Sequence, residues 1–158
     1  MKAVSVVNIK KELQHLSTEE LTELCLRLSK FKKENKELLT YLLFESHDET
    51  GYIESVQKDM DEQFELINTN SYFYIKKSVR KILRTVKKFA RYSQKKETEV
   101  ELLIYFCQTL KDFKPSIKHN VTLTNIYERQ IVLIKKIVST LHEDLQYDYH
   151  SMLEALND

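Results

Sequence analysis

One glycine and one proline in 158 residues is the tightest constraint this chain sets on its own fold. Tight hairpins, phosphate-cradling loops and close strand–helix approaches depend on glycine, which alone takes positive φ without penalty. With Gly51 as the single glycine, the composition argues against sheets, and no glycine-rich nucleotide loop can be built. Helices need neither residue in their interiors. Apolar residues recur at three- and four-residue spacing along almost the whole chain, the helical signature. The fold class read from the sequence is therefore all-α, a compact single-domain bundle of six or seven helices spanning 1–158. A chain of this length buries roughly two-thirds of its unfolded surface. Its 42% hydrophobic and 31% charged content suits a globular protein and is too apolar for disorder.

The spacing predicts a first helix over 3–16, after which Ser17 and Glu20 form a capping box that opens a second helix. That helix carries Leu21, Leu24, Leu28 and Phe31 on one stripe. Continued by sevens, the stripe reaches Asn35, Leu38 and Leu42. Residues 18–47 thus read equally as one helix with a buried polar Asn35 or as two with a turn near Glu34. The N-terminal pair reads as core scaffold. Residues 46–51 form the clearest connection, and the next helix is predicted over 52–67. Asn68 to Ser71 supply capping side chains for a basic helix that ends near 93–96. A further helix covers 98–113 and stops at Lys114-Pro115, because the residue before proline avoids helical backbone. Its run Leu102 to Cys107 is apolar on every side, which places it at the centre of the bundle. After a loop through Asn120, the last helix is predicted over 123–146, reaching toward Leu156. Cys25 and Cys107 lie far apart among apolar neighbours and read as reduced core thiols.

Charge is the one feature that points outward. The chain is almost balanced, with 25 Lys and Arg against 24 Asp and Glu, yet ten basic residues and no carboxylate fall between Leu66 and Lys96. On a helical wheel of about 100° per residue, Ile75, Val79, Ile82, Leu83, Val86, Phe89 and Ala90 cluster on one side. Lys76, Lys77, Arg80, Lys81, Arg84, Lys87, Lys88, Arg91 and Lys95 occupy the opposing arc, flanked by Tyr74 and Tyr92. Such a face suits an anionic protein partner or self-association, the favoured expectation. The alternative is RNA or DNA, with phosphates neutralised by the cations and unpaired bases stacked on the flanking tyrosines. A third reading leaves the face solvated and matched from within. The segment 45–65 holds eight carboxylates against Lys58 alone, a net −7, and a short connection makes successive helices neighbours. A membrane-surface role is disfavoured, because the apolar stripe is needed for the core.

Enzymatic motifs are sparse. Glu12-x-x-His15 is a single ferritin-type pair where two are needed. His142-Glu143 lacks the second histidine of a zinc-protease helix. His47, His142 and His150 could make a three-histidine site only inside a bundle, and they read as surface or helix-end histidines; the acids of 45–49 fit no calcium-loop spacing. The expectation is a non-enzymatic interaction module with no cofactor, no metal and no small-molecule substrate; a metal-dependent helical enzyme is the remote alternative. The N-terminal apolar run is too short for a signal peptide and no stretch approaches the ~18 apolar residues of a membrane span, so a cytoplasmic location is expected.

Overall fold

The computed structural model describes residues 1–157, which hold eight α-helices and no strand. They are α1 (Val6–Leu13), α2 (Thr18–Phe31), α3 (Lys33–Thr40), α4 (Glu49–Glu65), α5 (Tyr72–Ser93), α6 (Lys96–Asp112), α7 (Val121–Val138) and α8 (Glu143–Asn157). A π-helical turn, Tyr41–Glu45, follows α3, and a 3₁₀ turn, Ile117–His119, precedes α7. No helix among the described residues is long and apolar enough to cross a membrane.

The count is eight where six or seven were expected. Residues 18–40 take the two-helix reading: Lys32, with extended backbone (φ −140°, ψ 145°), separates α2 from α3 just before the turn expected near Glu34. Asn35 is half-buried and works there as a cap: its Nδ2 donates to the Leu28 carbonyl at 2.8 Å, satisfying a group the helix end leaves open. The other break divides the long helix expected over 123–146. Between Val138 and Glu143 there is neither glycine nor proline. The Ser139 and Thr140 hydroxyls donate back to the Lys136 and Ile137 carbonyls, and the Gln146 side chain donates to the Leu141 carbonyl at 2.8 Å. Short polar side chains thus compete with the helical ladder for its own partners.

Caps account for most remaining boundaries. Ser5 shortens α1 by accepting from Asn8 N–H, and Ser17 with Glu20 forms the expected capping box on α2. Gly51, expected in a loop, lies in the first turn of α4, where its N–H donates to Asp48 Oδ1 at 3.0 Å. A Cβ at this position would meet the Asp48 carboxylate, so the glycine leaves room for the cap. Ser71 stands at the N-cap of α5 without a side-chain hydrogen bond, contrary to the capping expected from 68–71.

The chain divides into two compact units, Met1–Phe44 and Glu45–Asp158. In the second unit α6 packs against α4, α5, α7 and α8. Val100, Leu102, Leu103, Phe106, Cys107 and Leu110 are all fully buried, so the helix without a polar face is the central one. Phe64 of α4 meets the Phe106 and Phe113 rings, each at 5.9 Å between centroids. Tyrosine hydroxyls find partners across the unit: the buried Tyr52 donates to the Phe89 carbonyl and the half-buried Tyr72 to the Ser116 carbonyl.

Two chemical consequences are measurable. Tyr105 of α6 donates to Asp61 of α4 at 2.7 Å. That hydrogen bond, then burial and the Asp61 charge, push its phenol up to about 12. The unfolded chain ionises this tyrosine near 10, so its contribution is complete below pH 10 and is lost as pH rises toward 12. Urea unfolding across that window is expected to show a stability decline that Asp61→Asn makes shallower; equal slopes would refute the coupling.

Burial likewise pushes the Cys107 thiol up to about 12. Cys25, by contrast, is exposed on α2 and is not the core thiol its neighbours suggested. A thiol reagent is expected to modify Cys25 at once and Cys107 slower by roughly a thousandfold or more, because reaching the core requires opening that costs several kcal/mol. Two fast thiols in the native protein would contradict this placement.

The first unit differs in kind. Helix α3 packs on α2, but Tyr41 is the one buried residue among 1–44. Leu24, Leu28 and Phe31, read from sequence as an inward stripe, are exposed.

Candidate anion-binding face on helix α5

Helix α5 runs 22 residues and buries Ile75, Val79, Ile82, Val86, Ala90 and Ser93 along one stripe. The stripe follows the expected wheel, with Leu83 and Phe89 half-buried at its margins. Because it faces α4 and α6, the basic residues are turned outward. Lys77, Arg80, Lys81, Arg84, Arg91 and Lys95 are exposed, while Lys76, Lys87 and Lys88 are half-exposed.

The preceding acids reach this helix only at its far end. Glu49, in the first turn of α4, accepts from Thr98 Oγ1 at 2.7 Å and from Lys95 Nζ at 3.2 Å, and also from the Ser93 hydroxyl. It ties the start of α4 to the α5–α6 turn, where Gln94 takes left-handed backbone with φ 58°. Asp61 is committed to Tyr105 on α6. Glu54, Asp59, Glu62 and Glu65 are exposed on α4. None of them pairs with Lys76, Lys77, Arg80, Lys81, Arg84, Lys87 or Arg91, and these seven cations have no ion pair among the described residues. Lys88 lies over the Phe89 ring at 5.2 Å from its centroid, and Lys96 donates to Thr140 Oγ1 at 3.0 Å.

The unpaired cations stand three and four residues apart, the spacing at which helix neighbours meet and like charges repel. Between them lies an open concavity of about 530 Å³, lined by Phe73, Lys76, Lys77, Arg80, Leu83 and Arg84. Phe73 is 67% exposed and its ring meets Tyr74 edge-on at 5.4 Å. On the wheel Phe73 falls within the basic arc, opposite the buried stripe, and an apolar residue so displaced is the signal in the sequence that could have found it. Of the two flanking tyrosines, Tyr74 is 47% exposed, whereas Tyr92 is half-buried with its ring 5.9 Å from Phe89. The face therefore has an aromatic end at Phe73–Tyr74, a cationic middle, and a C-terminal end tied to Glu49.

Elsewhere the described residues gather no three His, Cys, Asp or Glu side chains able to hold a metal ion. All five histidines are exposed, and the structure does not draw His47, His142 and His150 into one cluster. No protein-family model matches the chain, and no curated protein or solved structure does either.

Proposed function

We propose that the protein is a non-enzymatic interaction module whose α5 face docks an acidic segment of a partner protein. The observation that carries this reading is the row of seven cations left without ion pairs among the described residues, beside a helix rich in carboxylates. Self-repulsion along α5 lowers the stability of the free protein, and an anionic ligand relieves it. The concavity is lined by the apolar Phe73 and Leu83 together with four cations, which suits a segment with an apolar anchor between carboxylates. Arginines at 80 and 84 bind carboxylates through two parallel hydrogen bonds.

Nucleic acid is the second reading, favoured by one observation: the exposed Phe73–Tyr74 pair beside Lys76 and Lys77 is a platform on which bases can stack. Direct titration separates the two. An acidic peptide with a central leucine and a mixed-sequence single-stranded RNA are each followed by fluorescence anisotropy at low and at physiological salt. The peptide is expected to bind more tightly and to keep measurable affinity at physiological salt through its apolar anchor. Preference for RNA would transfer the site to the second reading, and binding of neither at low salt would end both.

A further inference from the structure

The surface least explained by a role for α5 lies in the first unit. Over 44 residues it buries Tyr41 alone, and a segment of that size has too little core to hold itself folded. Its large side chains nonetheless form an ordered pattern. Leu21, Leu24, Leu28 and Phe31 repeat at three- and four-residue spacing along α2, the seam of a coiled coil. The last three are 37%, 50% and 77% exposed.

What covers the seam is indicated by the charges beside it. On a wheel, Glu20, Glu23, Arg27 and Lys30 all fall on one flank of the stripe, while Thr18, Thr22, Cys25 and Ser29 fall on the other. The charged flank is acidic in its first half and basic in its second. A parallel copy would set this charged flank against the neutral threonine and serine flank of its mate and leave its charges unmatched. An antiparallel copy sets Leu21 and Leu24 against Phe31 and Leu28 of its mate, and brings Glu20 and Glu23 beside Lys30 and Arg27. The helix is thus complementary to itself under a two-fold axis, the symmetry of an isologous dimer. Opposed helix dipoles add to the preference.

We infer that the protein self-associates through its N-terminal unit, with α2 pairing antiparallel to α2 of a second copy across the Leu21–Phe31 seam. Two heptads cover an area on the order of 1,000 Å², at the lower limit for a specific contact. A contact of that size suits a weak, exchanging dimer. Cys25, exposed on the neutral flank near the middle of α2, faces its own copy close to the two-fold axis.

Sedimentation equilibrium of the full chain over a wide concentration series tests this. The wild type is expected to pass from monomer to dimer, and Leu28→Glu is expected to weaken association at least about tenfold with unchanged helix content. Because both heptads matter to local order, a charge swap supplies an independent arm. Glu23→Lys alone is expected to weaken the dimer, and Glu23→Lys with Arg27→Glu to restore it, since the swapped flank is again self-complementary. A short bismaleimide is expected to join Cys25 to Cys25 of the second copy. A protein that stays monomeric throughout overturns the proposal, since the seam is then covered in another way. A dimer indifferent to Leu28→Glu, or one not rescued by the double swap, overturns it equally.

Discussion

Replacing Phe106 by alanine is expected to cost about 3–5 kcal/mol, the largest loss any single side-chain truncation should cause here. Phe106 is fully buried in α6, and its ring meets Phe64 of α4. Truncation removes the aromatic contact and leaves a cavity lined by helices that cannot all move inward at once, since α6 is packed by four neighbours. Total stabilities of domains lie at about 5–15 kcal/mol, so the variant should be near the edge of folding at body temperature. Urea unfolding checks it directly. A loss under about 1 kcal/mol would mean that α6 is not the central helix.

The second large effect runs in the opposite direction for stability. Reversing Arg80, Lys81 and Arg84 together to glutamate is expected to weaken binding of an acidic peptide by roughly 100-fold, from three lost attractions and three new repulsions at ~0.5 kcal/mol each. The same variant should be slightly more stable than the wild type at low salt. All three side chains are exposed and lack ion pairs among the described residues, so nothing packed is disturbed. Glutamate at these positions instead meets Lys76, Lys77, Lys87 and Lys88 across helical turns. Salt should narrow the stability difference by screening it. Thermal melts at two ionic strengths beside the binding titration give both readings. A triple variant that binds as the wild type does would remove α5 from the interface. One that melts much earlier would show that these cations hold the fold together.

Most of the second unit is legible in the sequence because each residue's environment there follows from helical periodicity. Ile75, Val79, Ile82, Val86 and Ala90 form the buried stripe of α5 as their spacing implies, and Leu102 to Leu110 form the centre because no polar residue offers that helix an outward side. Of the breaks, the one near Glu34 stands in the sequence as one of two readings, while that between α7 and α8 does not show. Lys32 and Ser139–Thr140 end helices without glycine or proline, through caps and back-bonded hydroxyls whose partners are set only once the backbone turns. The first unit was misread for a deeper reason. Periodicity shows that Leu24, Leu28 and Phe31 share a face, but not whether anything in the same chain covers it.

The near absence of glycine and proline determined that this chain is helical, and the one-sided charges of 76–95 determined that α5 has a cationic face. Both are properties of a single helix, governed by interactions within a few residues. Whether the acids of 45–65 neutralise that face depends on how α4 is rotated against α5 and α6, which many distant contacts settle together. Tertiary packing turns Asp61 toward α6 and Glu49 toward the end of α5, leaving Lys77, Arg80, Lys81 and Arg84 without ion pairs among the described residues.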